Sequence, residues 1–192
     1  MASRMDRAQA VVAIGELFRE HGYHGTSYGQ ITAATGLGKG SLYNHFPNGK
    51  EDMTRAVLAH VHGWFEDNVF GVLASKADPM EAVDQMFVQV DDYFRSGRRL
   101  CLLGAFSLYD VRTAFDAEIV SYFSRWVETL AGCLKRGGLS AKESKVQAMA
   151  CMVDIQGGLL MAHAFDDAAI FTSSLARSAK TLRAAMGDRV PA

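Results

Sequence analysis

The chain of 192 residues lacks the features that mark secreted, membrane-spanning or disulfide-bonded proteins. Its three cysteines, Cys101, Cys133 and Cys151, are widely spaced and odd in number, so they offer neither a disulfide framework nor a Cys-x-x-Cys metal pair. No apolar stretch free of charge reaches the roughly 18 residues that a membrane span needs. No apolar segment behind Met1–Asp6 has the form of a secretory signal. These absences predict a cytoplasmic protein with no membrane partner.

Proline and net charge are also low. Three prolines leave long uninterrupted helices possible, and 49% hydrophobic residues are enough to bury a core. The net charge of −1 argues against a protein that coats nucleic acid through bulk charge. Residues 1–50 nevertheless hold five Lys/Arg against three acids, a balance of +2, and the remainder has a balance of −3. This asymmetry permits a nucleic-acid surface near the N-terminus.

Strand signals are nearly absent, and apolar residues recur at helical spacing along the chain. Gly22 is a usual helix stop, while Ser27 with Gln30 and Ser140 with Glu143 fit capping boxes that open helices. The pattern predicts an all-α fold of about nine helices. Their expected spans are about 4–21, 27–36, 38–44, 50–75, 79–95, 101–108, 113–136, 140–165 and 167–186.

The segment from Thr26 to Phe46 predicts two short helices joined by a tight glycine turn. A helix-turn-helix needs an apolar set that holds its two helices together. We expect that set to be Ile31, Ala34, Leu37, Leu42 and Phe46. The residues left outside carry a cation, hydroxyls, an amide and an imidazole, which suit phosphate oxygens and base edges. They are Lys39, Ser41, Tyr43, Asn44 and His45.

Over roughly residues 5–60 the sequence resembles the TetR family of one-component bacterial repressors. The matching residues, at fixed spacing, are Phe18, Gly22, Thr26, Ser27, Ile31, Ala33, Ala34, Gly36, Lys39 to Tyr43, His45, Phe46 and Lys50. The run from Gly40 to Glu51 is similar to the LmrA/YxaF-like branch, and Cys101–Gly104 fits that branch more weakly.

Two residues depart from the family pattern. Gly38 stands where the family often has a small hydroxyl residue that caps the recognition helix. Gly29 lies inside the preceding helix, where it costs up to ~1 kcal/mol relative to Ala. Both departures predict that the two helices of the motif are only partly ordered until the protein binds DNA.

The resemblance implies a homodimeric DNA-binding transcriptional regulator, in particular a repressor. Residues 4–50 would form the DNA-binding domain, running into a connecting helix 50–75, and residues 51–187 the effector-binding and dimerisation domain. Two motifs would occupy successive major grooves of a near-palindromic double-stranded operator. A small-molecule effector would move the fourth helix and release the DNA. No cofactor is implied.

Position within the motif assigns expected roles to its polar residues. Lys39 is expected to donate to guanine and Asn44 to adenine, with Ser41 on the same outer face. Contacts to phosphates are expected from Tyr43, His45 and Lys50, and from Thr26 and Ser27 at a helix N-terminus. Structural alternatives exist: Tyr43 half in the core, His45 packed on Phe46, Ser27 acting as a cap, and Lys50 solvated.

Aromatic residues are dense between residues 87 and 126, and several methionines add adaptable surface. Most of these residues belong in a core, but such linings also suit planar or lipophilic ligands. Since few charges fall at inward positions, we expect a neutral or weakly ionised effector. The predicted ligand-binding residues are Met86, Tyr93, Phe106, Tyr122, Trp126 and Gln156. Small residues along the last two helices predict a dimer face.

Two other readings remain open. A repressor that senses redox state would need an exposed cysteine of low pKa. A helical enzyme is the more distant alternative, because no Ser/His/Asp or Cys/His arrangement has local support. His60 and His62 fall on different helix faces, so no metal or catalytic residue is predicted.

Overall fold

A computed structural model describes residues 5–108 and 110–187 of the chain. Within those residues there are nine α-helices and no strand, which confirms the all-α prediction. The expected helix start at Arg4 lies outside the described residues. The helices are α1 (Arg7–Gly25), α2 (Tyr28–Thr35), α3 (Lys39–His45), α4 (Lys50–Phe65, continuing through a π-helical turn, Glu66–Phe70, into Gly71–Ala74), α5 (Pro79–Tyr93), α6 (Leu102–Phe106), α7 (Asp116–Arg136), α8 (Ala141–Phe165) and α9 (Ala168–Gly187), with a 3-10 turn at Asp110–Ala114.

Side-chain caps account for several helix starts. The capping boxes predicted at Ser27 and Ser140 are both present. Asp78 accepts hydrogen bonds from two N–H groups of the first turn of α5, directly before Pro79. Gly22, at φ +70°, interrupts the helical geometry of α1 where the sequence predicted its end. Local chemistry thus positions these helices before tertiary packing is considered.

The described chain forms two compact units that no single cut in the sequence separates. The first unit comprises the chain up to Gly63 together with Leu102–Ile119, and the second comprises Trp64–Cys101 and the chain from Val120 onward. The chain therefore passes between the units within α4, before α6 and within α7.

In the first unit α1 packs against α2 and α6. Its apolar core includes Ile14, Phe18, Ile31, Leu42, Phe46, Phe106 and Phe115, each no more than 2% exposed. One core prediction is wrong: Ala34 is exposed, and Thr35 is buried instead. Thr35 lies one helical turn after Ile31 on the same face, and its hydroxyl donates to the Ile31 carbonyl at 2.7 Å.

In the second unit α8 packs along α9, and α9 along α5. A buried aromatic cluster lies in this unit, and the ring centroids of its contacting pairs are 4.7–6.1 Å apart. Its members are Phe65, Phe70, Tyr93, Phe94, Tyr122 and Trp126, all no more than 8% exposed. Most of the aromatic side chains singled out between residues 87 and 126 therefore serve as core.

Candidate nucleic-acid interface

The turn between α2 and α3 fixes the direction of the second helix. Gly36 adopts a left-handed conformation, φ +64°, and ends α2. Leu37 is buried immediately afterwards, and Leu42 is the one buried residue within α3. Gly38 precedes α3 and supplies no side-chain cap. The second helix of the motif is therefore held mainly by tertiary contacts.

The outward face of α3 carries polar side chains on neighbouring ridges. Lys39 and Tyr43 are one turn apart, and Asn44 lies beside Tyr43; all three are exposed. Neither the Lys39 ammonium nor the Asn44 amide makes a hydrogen bond within the described residues. Ser41 lies half-buried on α3. The structure thus brings together a cation, a phenol and an amide on one short helix at the protein surface, and these groups can bind phosphate oxygens and base edges.

His45 is half-buried, and its ring meets that of Phe46 edge-on, with centroids 6.2 Å apart. The Arg7 guanidinium lies over the Phe46 ring, 5.2 Å from its centroid. His45 therefore packs on Phe46, which is the structural alternative to a DNA contact. Its phosphate contact stays a prediction.

Thr26 and Ser27 occupy different environments. Thr26 is 1% exposed, and its hydroxyl donates to the Gly22 carbonyl at 2.7 Å, so the side chain closes the end of α1. Ser27 is exposed: its hydroxyl accepts from the Gln30 N–H at 3.3 Å, and its own N–H donates to Gln30 Oε1 at 2.7 Å. Ser27 acts as the predicted cap, and contacts of either residue with phosphate stay predictions.

The Lys50 side chain binds the main chain between α1 and α2. Its Nζ donates to the Thr26 carbonyl oxygen at 2.8 Å and lies 4.7 Å from the centroid of the Tyr23 ring. Burial lowers the pKa of Lys50. An ammonium has three donors, so a phosphate contact remains compatible with this placement. Lys50 is nevertheless part of the scaffold and not a freely solvated lysine.

The sequence analysis missed Tyr28, the first residue of α2. Its ring lies nearly parallel to that of Tyr43, with an interplanar angle of 15° and centroids 6.3 Å apart. Burial, followed by the proximity of Tyr43 and a hydrogen bond with it, raises the pKa of Tyr28. Its spacing of 15 residues from Tyr43 carries no periodic signal, which is why sequence reasoning did not pair the two.

Arg55 of α4 was also not singled out from the sequence. Within the first unit, its side chain connects α4 with residues 114–118 at the start of α7. The Arg55 Nη2 donates to Glu51 Oε1 at 3.1 Å and to the Ala114 carbonyl at 3.3 Å, and Nη1 pairs with Glu118. Its guanidinium carbon lies 5.2 Å from the Phe115 ring centroid. The hydrogen bond with Glu51 is the main cause that raises the pKa of Arg55.

The predicted ligand-binding residues divide between the two units. Phe106 belongs to the first unit, where its ring meets those of Phe18 and Tyr23 at 6.1 and 6.4 Å. The second unit holds Met86, Tyr93, Tyr122 and Trp126, all buried, and the half-buried Gln156. Trp126 Nε1 and Gln156 Nε2 are buried and make no hydrogen bond within the described residues.

A surface groove of about 840 Å³ also lies in the second unit, between α5 and α9. Phe87 and Leu175 supply apolar lining, and Asp91, Arg95 and Arg98 supply charged lining. None of the six predicted ligand-binding residues lines it. The binding-site prediction for those six stays a prediction.

Exposed apolar residues follow one face of α8. They recur at intervals of three and four residues, which places them on a single stripe. The larger ones are Val146, Met149, Val153, Leu160 and Met161, each at least 41% exposed, and the small residues Ala150, Gly157 and Ala164 lie on the same stripe. Three other small residues of α8, Ala148, Gly158 and Ala162, face inward. A Cβ on Gly158 would lie 3.0 Å from Ser174 Cβ of α9. This helix is also long and apolar enough to span a membrane by composition alone, but a single such helix is weak support for that role.

These features define a class of protein: a helix-turn-helix DNA-binding regulator whose described residues form helices and no strand. Two family models match the chain, "Bacterial regulatory proteins, tetR family" over residues 11–57 and "Transcriptional regulator LmrA/YxaF-like, C-terminal domain" over residues 79–185. The chain belongs to the TetR family of transcriptional regulators, in its LmrA/YxaF-like branch. This confirms the resemblance stated from the sequence.

Individual proteins agree with that assignment. The regulator YxaF of Bacillus subtilis is 26% identical over 167 residues, covering 84% of this chain and 87% of its own. A TetR regulator from Legionella pneumophila has a similar fold, with a TM-score of 0.77, 23% identity, and coverage of 93% of this chain and 98% of its own. A cysteine variant of CifR, solved with a 26-base-pair operator, has a TM-score of 0.76 at 21% identity, covering 94% of this chain and 98% of its own.

Proposed function

We propose that this DNA-binding regulator is a homodimeric repressor that reads a near-palindromic operator with α3. The observation that carries the proposal is the exposed face of α3, where Lys39 and Asn44 have donors free of internal hydrogen bonds within the described residues. Lysine can donate to guanine O6 and N7, and asparagine can pair with adenine N6 and N7 in the major groove. Tyr43, one turn after Lys39 on the same ridge, is proposed to contact a phosphate. The role is regulatory and not catalytic.

Dimerisation is supported by the apolar stripe on α8. One seven-residue recognition helix can contact only a few base pairs, so specific binding calls for a second copy. The stripe exposes several large apolar side chains and has small residues between them, which lets two helices approach closely. Two copies packed through this face would remove that surface from water. A cytoplasmic location follows from the same regulatory role.

The effector is proposed to be neutral and lipophilic, with a hydrogen-bond acceptor. The second unit supplies buried aromatic and methionine side chains, and Trp126 adds an indole N–H without a hydrogen-bond partner in the described residues. An indole nitrogen can only donate, so the ligand atom that satisfies it must accept. A carbonyl or ether oxygen on an aromatic compound has this chemistry.

Release is proposed to pass through Leu102–Ile119. This segment packs within the first unit, yet its two ends continue directly into Cys101 and Val120 of the second. Arg55 of α4 holds the segment through Ala114, Phe115 and Glu118. An effector that prefers a conformer in which this segment has shifted would bias α4 as well.

The redox alternative has less support. Burial raises the pKa of Cys151 to about 12 and also raises the pKa of Cys133. Cys101 is 6% exposed. A sensor thiol needs access and a depressed pKa, and burial opposes both. Labelling of the native protein with a thiol reagent separates the two readings: slow modification of all three cysteines supports the ligand-responsive repressor.

Selection from random double-stranded DNA, followed by footprinting, tests the operator proposal. We expect an enriched near-palindrome with half-sites about 10 bp apart, or a multiple of that spacing, and major-groove protection on one face. Sedimentation of the complex should show an even number of protein copies per site. Equal binding to all DNA at physiological salt would contradict the proposal.

A ligand screen that follows tryptophan fluorescence and operator release together tests the effector proposal. A hundredfold release requires about 2.7 kcal/mol of difference in effector affinity between the two conformers. Trp126→Phe identifies which of the two tryptophans gives the signal. In Arg55→Gln, the effector should still change the tryptophan fluorescence but should release less of the bound operator, because Arg55 connects α4 to Leu102–Ile119. Releasing compounds that were all strongly charged, or release only on thiol oxidation, would contradict this proposal.

A further inference from the structure

The recognition helix has few anchors of its own. Helix α3 has seven residues, with Leu42 the one buried residue within it, and no side chain caps its N-terminus. Helix α2, by contrast, starts with a complete capping box at Ser27. A helix this short is marginal without tertiary support, so contacts from its neighbours must set its orientation.

Tyr28 supplies such a contact from α2. Its ring lies nearly parallel to that of Tyr43, at an interplanar angle of 15° and a centroid distance of 6.3 Å. Tyr43 is the α3 residue next to Asn44 and one turn after Lys39. A ring packed against Tyr43 therefore restrains the ridge of α3 that carries the base-reading lysine.

The Tyr28 hydroxyl also reaches the start of α4. Gly49, just before α4, has φ +68°, and a Cβ there would overlap the Tyr28 hydroxyl. Glycine at this position thus leaves the space that the phenol occupies. One side chain therefore lies against both Tyr43 of α3 and Gly49, the residue directly before α4.

We propose that Tyr28 is a positioning residue for operator specificity, which sets the angle of α3 through its contacts with Tyr43 and the α4 N-terminus. The inference rests on the proposed reading of bases by α3. Correct base contacts need α3 at one angle, whereas non-operator DNA is held chiefly through phosphates and tolerates small rotations. Tyr28 therefore affects the ratio of operator affinity to non-operator affinity.

The test compares Tyr28→Ala, Tyr28→Phe and the wild-type protein on operator and non-operator duplexes of equal length. Tyr28→Ala should lower operator affinity about tenfold and non-operator affinity less than about twofold, in line with the usual worth of an aromatic pair. Tyr28→Phe keeps the ring and loses the hydroxyl that lies against Gly49, so its operator affinity should fall by an intermediate factor, about threefold. The salt dependence of binding should stay unchanged, because no charge is removed.

Matched measurements separate positioning from general damage. Val12→Ala, on the exposed side of α1, removes a half-exposed apolar side chain of the same unit and should leave both affinities unchanged. A double-mutant cycle of Tyr28→Ala and Tyr43→Ala should show coupling in the specificity ratio, since the two residues act together. Thermal unfolding of each variant reports any loss of fold.

Three outcomes would overturn the inference: an unchanged operator affinity, an equal loss on both duplexes, or additive effects in the cycle. A wild-type protein without operator preference would instead contradict the proposed function. Tyr28→Phe keeps the test decisive if Tyr28→Ala unfolds, because it preserves the ring.

Discussion

The two compact units place their functional candidates in opposite environments. In the first unit Lys39, Tyr43 and Asn44 are exposed on a helix with a single buried residue. In the second unit Tyr122 and Trp126 are fully buried in an aromatic cluster. Exposed polar residues are ordinary on any surface helix, so it is the position of these three on the second helix of the motif that indicates a contact surface. Buried aromatic residues serve packing first, and their role toward a ligand must be shown separately.

The largest expected difference between the units concerns stability. Trp126→Ala removes a fully buried side chain whose ring lies 4.9 Å from Phe65 and 5.8 Å from Tyr122. Such truncations usually lower the free energy of unfolding by about 3–5 kcal/mol. Tyr43→Ala, at an exposed position with one ring contact to Tyr28, should lower it by only about 1 kcal/mol. Chemical denaturation of both variants checks the contrast, and similar losses would break it.

The next difference concerns DNA binding within the first unit. Lys39→Ala should lower the preference for operator over non-operator DNA by about 1–3 kcal/mol, the worth of a bidentate base contact. Tyr43→Phe, which loses the hydroxyl proposed to contact a phosphate, should weaken binding to both duplexes by similar factors. Competition binding at fixed salt measures the two ratios. Equal behaviour of the two variants would remove the distinction between base-reading and phosphate-contacting residues.

The caps of the two motif helices give a smaller contrast. Ser27→Ala removes the capping box of α2 and should lower stability by about 1 kcal/mol. Gly38→Ser adds a hydroxyl cap to α3 at a backbone conformation that serine accepts, φ −69° and ψ 162°, with open space around the added Cβ. Since glycine is only a few tenths of a kcal/mol poorer than serine as a cap, the gain should be of that order. A gain above about 1 kcal/mol in thermal unfolding would show that α3 is frayed in the free protein.

The smallest expected effect is the pH dependence of the α4 start. Asp52 accepts hydrogen bonds from the Asn48 main-chain N–H at 2.8 Å and from its side-chain amide at 3.1 Å. The main-chain bond is the first cause that lowers the pKa of Asp52 below its ordinary value of 3.8. A depressed pKa means that the stabilisation is fully present above that value and is lost as the pH falls through the folded-state pKa. Asp52→Asn should flatten this part of the acid-unfolding curve, and an unchanged curve would contradict the assignment.

The sequence predicted the features that depend on neighbouring residues. Helix spans, the capping boxes at Ser27 and Ser140, and the exposure of Lys39 and Asn44 follow from spacing and local hydrogen bonding. Family resemblance supplied the architecture around them. Ala34 was predicted to be buried, but Thr35 is buried instead. The cause is the length of α2: a helix of two turns has too few apolar residues to show which face is buried.

Contacts between distant residues could not be predicted in this way. Arg55 and Glu118 are 63 positions apart, and only the packed first unit brings them together. Tyr28 and Tyr43 belong to different helices, and nothing in their spacing indicates parallel rings. The ligand-binding residues stay a prediction for another reason. Core residues and pocket-lining residues are both buried and often aromatic, so composition alone does not distinguish the two.

The most direct test of the central claim is a base-by-base binding profile of the selected operator for wild-type protein and Asn44→Ala. Each position is substituted in turn, and the loss of affinity is measured at one salt concentration. The account predicts that Asn44→Ala loses discrimination at one symmetric pair of positions, one in each half-site, and keeps the wild-type profile elsewhere. An identical profile for the two proteins at every position would contradict the claim that the exposed face of α3 reads the operator.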